Sequence, residues 1–238
     1  MVSFSTNKDK EDYNGWELES FDEASNFREL QLNKIKKFIK NKDIIDIGSG
    51  NGGLINYYLK ETNKVSAIEP SVKLKKVLEA KYKKKINIYL NKKRLKKKYD
   101  VILYMDVIEH IKKYNKEIEL IKNNLKKDGL IIINVPAFNF LYTDFDKNIG
   151  HIKRFSKKDI LNISKKHNLK IEKIEYYDSI GFFLILFTKF FFKINLNKRN
   201  VKNNIKIWDS LIPISKFFDR IFLNLIGKSL ICVLKNKQ

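Results

Sequence analysis

Cysteine and arginine are scarce in this chain of 238 residues, and each shortage removes a class of function. Cys232 is the single cysteine, so an intrachain disulfide framework and a cysteine-rich metal site are both excluded. A reducing, cytoplasmic setting is the expectation. The arginines are Arg28, Arg94, Arg154, Arg199 and Arg220, and the rest of the 49 basic residues are lysine. A formal charge of +22 invites a nucleic-acid partner. Yet arginine is the residue suited to bidentate phosphate and base-edge contacts, and the lysines are dispersed along the chain. Solvated lysine faces are the simpler reading, so a nucleic-acid partner is not expected. The densest run, Lys92 to Lys98, still suits anionic phosphate or lipid headgroups. Met1 to Thr6 lacks the basic start and apolar run of a signal peptide. No internal repeat is visible.

What is present is a globular composition, 43% hydrophobic and 13% aromatic, on a length that suits one domain with one sizeable core. Residues 1–15 are polar and read as a loose arm. Apolar residues then recur at helical spacing from Trp16 to Lys40, predicting one or two amphipathic helices. Short apolar runs predict strands at Ile44–Ile47, Lys64–Glu69, Ile86–Leu90, Val101–Met105, Leu130–Val135, Ile171–Tyr177 and Ser229–Leu234. Helices are predicted at Leu54–Lys60 and Val72–Lys84. Another runs from near Ile111 to Leu125, with Asp128-Gly129 as its stop. Ser156 and Asp159 form a capping-box pattern for a helix reaching about His167. Strands alternating with helices imply a mainly parallel α/β sheet covered on both faces.

Residues 178–228 break that rhythm. They open on Ile180-Gly181-Phe182-Phe183-Leu184-Ile185-Leu186-Phe187 and continue through Phe190-Phe191-Phe192. Lys189 and Lys193 interrupt the run short of the ~18–20 residues needed to span a bilayer. The segment reads as a helical cap over the active-site mouth, as packing against the domain or a second subunit, or as peripheral membrane contact through 180–193. Oligomeric state is left open.

The first predicted strand runs into Asp46-Ile47-Gly48-Ser49-Gly50-Asn51-Gly52-Gly53. Glycines permit a tight turn and close approach of a ligand to the backbone. Gly48, Gly50 and Gly52 fit one nucleotide-loop spacing. Gly48, Gly50 and Gly53 fit the dinucleotide fingerprint, so spacing alone leaves both open. Glu69 ends the second strand, where a carboxylate accepts hydrogen bonds from ribose hydroxyls. Adenosine recognition is supported, and the cofactor is not yet decided.

Three later motifs decide it by resemblance. Tyr99-Asp100-Val101-Ile102-Leu103-Tyr104-Met105-Asp106-Val107-Ile108-Glu109-His110-Ile111 resembles the fourth-strand motif of class I S-adenosylmethionine-dependent methyltransferases. Leu125 to Pro136 is similar to the segment these enzymes place before the substrate loop. Gly150-His151-Ile152-Lys153-Arg154-Phe155-Ser156 is similar to the signature of a small-molecule subgroup, which includes ubiquinone-pathway and glycan-cluster enzymes. Glu19 to Arg28 resembles that subgroup's N-terminal helix.

The resemblance implies a Rossmann-like seven-stranded sheet with its last strand antiparallel. N-terminal helices would precede a cofactor core at 41–177, with the 178–228 insertion before the last strand at 229–238. S-adenosyl-L-methionine (SAM) is the implied cofactor. Asp46, Gly48, Gly50 and Gly52 would line its methionine and ribose side, and Glu69 would bind the ribose hydroxyls. Pro70 would lie beside the adenine, Asn91 near the adenine amino group, and Asp106 with Val107 against the methionine portion. The implied reaction is methyl transfer to oxygen or nitrogen of a small-molecule acceptor, a class that includes sugar- or lipid-linked ones. Phe138, Phe140, Tyr142 and Phe145 suit an acceptor with ring or apolar surfaces.

A general base helps where the acceptor is a hydroxyl, and His151 and His110 are the candidates. His151, in the substrate loop, is preferred. Asp106, Glu109 and His110 form a ligand-like set that some relatives use for a divalent cation. An acidic first helical turn has an ordinary electrostatic explanation, so no metal is assigned. Two other readings share the glycine loop. A nicotinamide-dependent oxidoreductase would need a Tyr-x-x-x-Lys pair, which is not recognisable here. An RNA-methylating or nucleic-acid-binding protein of this fold would need a contiguous basic face or an Asn/Asp-Pro-Pro-aromatic motif, and Met105-Asp106-Val107-Ile108 stands there instead.

Overall fold

The computed structural model describes residues 17–191 and 198–237. The polar arm expected over 1–15, and Phe192 and Lys193 of the apolar run, lie outside the described residues. Helices α1 (Leu18–Asp22) and α2 (Ser25–Ile39) lead into β1 (Asp43–Ile47). Next come α3 (Ile55–Tyr58), β2 (Lys64–Ile68), α4 (Val72–Tyr82), β3 (Asn87–Tyr89) and β4 (Tyr99–Met105). Then follow α5 (Tyr114–Lys122), β5 (Leu125–Pro136), α6 (Asp144–Asn148), α7 (Lys157–Lys166) and β6 (Leu169–Tyr177). Helices α8 (Ser179–Phe191), α9 (Lys198–Ser210) and α10 (Ile212–Ile221) precede β7 (Ser229–Asn236).

The seven strands lie in the order β3-β2-β1-β4-β5-β7-β6. Strands β1 to β5 pair in parallel, and β7 runs antiparallel to both β5 and β6. This is the Rossmann-like sheet with an antiparallel last strand that the sequence predicts. Successive residues of the central strands enter opposite layers, as the two-residue strand period requires. Ile44, Val101 and Leu103 belong to one core with Ile35 and Ile39 of α2. Ile45, Ile102 and Tyr104 belong to the other, with Ile118 and Ile121 of α5.

One predicted boundary is corrected. Helix α5 ends at Lys122, and Leu125 pairs with Tyr99 as the first residue of β5. The register then shifts before Val101 pairs with Leu130. Asp128, at φ 58°, therefore turns the chain inside a strand irregularity rather than capping a helix.

Helix α2 buries Phe27, Leu30, Gln31, Ile35 and Ile39, a stripe at helical spacing. Its exposed first-turn amides find an acceptor far along the chain. Asn26 N and Phe27 N donate to the Asp209 carboxylate at 3.3 and 2.9 Å. Asp209, in the last turn of α9, caps α2 from outside, satisfying donors that a helix cannot satisfy itself.

The described part of the 178–228 segment is largely helical, and its α9 and α10 pack against α1 and α2. Trp208 packs against the rings of Phe21 and Phe27 at 6.2 and 4.6 Å. Buried Asp178 is its polar hub. It accepts from Trp208 Nε1 at 2.8 Å and Ser215 Oγ at 3.0 Å, with Lys228 Nζ 3.4 Å away. Asp219 accepts from Asp178 N and Ser179 N at 3.0 and 2.8 Å, capping α8. Among the described residues, no helix is long and apolar enough to cross a membrane.

Removing the outside cap with Asp209→Ala should destabilise the protein by about 1–2 kcal/mol. Urea unfolding would show it as a lower midpoint at unchanged slope. An unchanged midpoint would mean that water replaces the carboxylate.

Candidate active site

The parallel register brings the ends of β1, β2 and β4 to one edge, and the glycine loop turns there. Gly48, Gly50 and Gly52 adopt φ of +73°, +57° and +78°. Space is the second constraint at two of them. A Cβ on Gly48 would stand 2.9 Å from a Val107 methyl, and one on Gly52 would stand 2.5 Å from the Tyr82 ring. The loop is also tied down, since Gly48 N donates to Ile68 O at 2.7 Å and Tyr82 Oη donates to Gly52 O at 2.5 Å. Helix α1 lies against it from the N-terminal side. Leu18 faces Gly50, and Asn51 Nδ2 donates to Asp22 Oδ2 at 2.7 Å.

Asp46 and Glu69 are buried at this edge. Asp46 Oδ2 accepts from Tyr58 Oη at 2.6 Å. Glu69 accepts from Ser71 N through Oε1 and from Gly50 N through Oε2, both at 2.8 Å. Burial pushes each carboxyl up to about 7, and these hydrogen bonds only partly oppose it. Pro70 follows Glu69 and is half-buried. Asn91 is exposed, its side-chain oxygen accepting from Lys93 N at 3.1 Å to cap a short turn. The contacts of Asn91 do not join it to the Asp46–Glu69 edge.

Asp106 leaves β4 at φ 59°. Its oxygens accept from Asn134 Nδ2 at 2.7 Å and Gln31 Nε2 at 3.2 Å. Tyr177 Oη in turn donates to Asn134 Oδ1 at 2.7 Å. Burial raises the Asp106 carboxyl above the ordinary range, opposed chiefly by the Arg28 charge. Gln31, Asn134 and Tyr177 were not singled out from the sequence. They come from α2, β5 and β6, and no local pattern marks them.

The two predicted histidines do meet. Their rings lie 4.7 Å apart, edge to face. His151 Nδ1 is 2.8 Å from Asp146 Oδ1, and its Nε2 is 3.7 Å from Glu109 Oε1. Asp146 is itself held by Arg154, whose Nε and Nη2 each donate at 2.9 Å. Burial alone would raise the Asp146 carboxyl, but the His151 hydrogen bond and the Arg154 charge outweigh it and hold it well below the carboxylate range. An ionised Asp146 accepts the Nδ1 proton and leaves Nε2 as the free lone pair. His110 Nδ1 lies 3.1 Å from Gly150 O. Burial and the neighbouring His151 push the His110 ring down to about 3, so it stays neutral.

Glu109 is fully buried between them with neither carboxylate oxygen hydrogen-bonded. Burial, reinforced by Asp106, raises it well above the ordinary range. Among the described residues, Glu109, His110 and His151 each offer one ligand atom, all within 4.8 Å of one another, a donor set able to hold a cation. Asp146 and Arg154 were also missed as site residues. The signals existed, because Thr143-x-x-Asp146 is a capping-box pattern and Arg154 lies three residues after His151.

Four loop aromatics divide by role. Tyr142 Oη donates to His151 O at 2.6 Å. Phe138 adopts φ 60° and stacks on Tyr176 at 4.3 Å, while Phe140 is exposed. Phe145 packs against the core.

A family model described as a methyltransferase domain matches residues 19–174. The chain belongs to this methyltransferase family. The match spans the glycine loop, the acidic strand ends and both histidines, and the methyltransferase uses SAM. It is similar to the ubiquinone biosynthesis O-methyltransferase of Pelagibacter ubique, 26% identical over 167 residues, covering 62% of this chain and 70% of the relative. Among solved structures, a SAM-dependent methyltransferase from Archaeoglobus fulgidus aligns with TM-score 0.59 and 18% identity, covering 88% of this chain and 94% of that one. Coclaurine N-methyltransferase bound to N-methylheliamine and SAH (the demethylated cofactor) aligns with TM-score 0.56 and 17% identity, covering 90% and 72%. Both structural matches reflect the fold.

The residues present fit SAM. The glycine turn leaves no room for side chains, and each Glu69 oxygen accepts one backbone amide, keeping lone-pair capacity for a ribose hydroxyl. An ionised Glu69 is the better acceptor, while the free protein holds its proton up to about 7. Affinity for SAH should therefore rise with pH through about 7, falling by up to about tenfold per unit below it. Glu69→Gln should weaken binding about 10–100-fold and flatten much of that slope, Asp46 contributing the remainder. Calorimetric titration at several pH values checks both, and a flat wild-type profile would contradict the assignment.

Proposed function

We propose that this methyltransferase methylates an oxygen or nitrogen of a small-molecule acceptor bearing ring or apolar surfaces, such as a lipid- or sugar-linked intermediate, and that His151 is its general base. The carrying observation is the Arg154–Asp146–His151 chain, which fixes one imidazole tautomer and turns Nε2 toward Glu109. The exposed Phe140 and the Phe138–Tyr176 stack support the apolar acceptor.

When bound, SAM supplies an electrophilic methyl group whose sulfonium leaves as a neutral thioether. Asp46, Glu69 and the glycine turn would hold it at the strand ends, with Asp106 and Val107 beside its methionine portion. The chain's own task is then to place the acceptor atom in line and remove its proton. His151 Nε2 takes that proton as the acceptor lone pair forms the new bond to carbon. Asp146 stabilises the resulting imidazolium through Nδ1–H and acts as a positioning residue. Burial keeps His110 neutral beside His151 and raises the Glu109 carboxyl well above its ordinary range.

His151→Gln should lower kcat by about 10²–10⁴-fold on a hydroxyl acceptor with SAH affinity unchanged. Asp146→Asn should lower kcat in the same direction with KM little altered, because it disturbs the tautomer. An SAH-release assay over a panel of phenols, alcohols and amines reads both. Full activity in His151→Gln would remove the base assignment and leave the methyltransferase identity standing.

A further inference from the structure

Residues 178–228 carry an unusual combination of surface chemistry. Of the fifteen large hydrophobic side chains exposed among the described residues, nine lie in this stretch. On α8 the exposed stripe includes Phe183 and Leu184, and on α10 it includes Phe217 and Ile221. The loop after α10 adds Leu223, 74% exposed, and Leu225, 60% exposed. The stripes adjoin through rings. Phe183 meets Phe222 at 5.9 Å, Phe222 stacks on Phe218 at 6.0 Å, and Phe218 meets Phe217 at 5.6 Å.

Within residues 178–228 the described charges that face outward have one sign. The stretch contains three carboxylates, Asp178, Asp209 and Asp219, and all three are buried. They are consumed by the internal hub and by capping α2 and α8. Its basic residues include exposed Lys189 and Arg220 and half-buried Lys216. Among the described residues, neither Lys216 nor Arg220 forms an ion pair. An apolar face edged by cations, with the carboxylates of its own segment withdrawn, is complementary to an anionic lipid surface. Helix α8 has 13 residues, about 20 Å of rise, too short to span a bilayer but suited to lying in its interface.

The face is also continuous with the acceptor loop. Lys189 Nζ donates to Phe140 O at 2.5 Å and Tyr142 O at 3.1 Å, and Tyr142 holds the His151 backbone. Phe182, the neighbour of Phe183, meets Phe138 and Phe140 at 5.6 and 6.1 Å.

We propose that the α8–α10 face docks this methyltransferase on an anionic phospholipid bilayer, with the loop carrying Phe140 and His151 at the lipid boundary. The docking rests on the face itself. Its use, drawing an acceptor whose apolar part stays in the lipid, rests on the function proposed above.

Co-sedimentation of the full chain with phosphatidylcholine vesicles, with and without about one third phosphatidylglycerol, tests the docking. Binding should require the anionic lipid and weaken with salt. Phe183→Ser with Phe217→Ser should reduce it at least about tenfold. Both side chains are exposed, so the double variant should keep its thermal midpoint and its SAH affinity, separating lost docking from lost folding or cofactor binding. No sedimentation of wild-type protein with anionic vesicles at low salt would overturn the proposal. So would equal binding by the double variant, which would shift the lipid contact to other lysines. Light scattering showing a dimer that the same substitutions dissolve, without vesicle binding, would assign the face to a second copy and equally overturn it.

Discussion

The parallel register of β1 between β2 and β4 is the constraint on which the site depends. Asp46 pairs with Ala67 on one side and Leu103 on the other, so three strands end nearly level. Glu69 and Asp106 then follow directly at the ends of β2 and β4, beside the turn that starts at Gly48. Three carboxylates thus converge on one short edge in surroundings that disfavour their charge. Backbone amides, a tyrosine hydroxyl and amide side chains hold them without neutralising them. Such an edge favours a ligand that brings hydroxyl donors and positive charge.

A second layer depends on this one. Asp106 reaches Gln31 on α2, so the end of β4 is tied to the helix that leads away from α1. Glu109 and His110 follow in the next turn, and Gly150 O brings the loop with His151 against them. The proposed base is therefore positioned by a path that starts in the sheet register and passes through one tight turn. Arg154 and Asp146 close it from the opposite side.

Much of this was legible in the sequence because it rests on local pattern. Apolar runs marked all seven strands, and Ser156 with Asp159 forms the capping box that was read from their spacing. The glycine turn was legible because positive φ and close packing both select glycine. Elements decided by distant partners were not. Leu125 carries a helical signal and is claimed by Tyr99 across the sheet. Gln31, Asn134 and Tyr177 are ordinary residues in their own segments, and only the fold places them in one hydrogen-bonded line. The family resemblance supplied what spacing could not, the choice between two cofactors for one glycine loop.

The cap on α2 has a consequence for how the chain comes into being. Its acceptor, Asp209, lies 182 residues beyond Phe27. During synthesis the strands that hold the cofactor edge emerge well before α9 does. The nascent chain can pair β3, β2, β1, β4 and β5 while the first turn of α2, and Trp208's packing on Phe21 and Phe27, still await their partners, and β7, which joins β6 to β5, emerges later still. The wall of helices beside the glycine turn is thus fastened after the parallel strands, and a ribosome that stops before residue 209 releases a five-stranded parallel sheet with its N-terminal side unfastened and β6 without the strand that joins it.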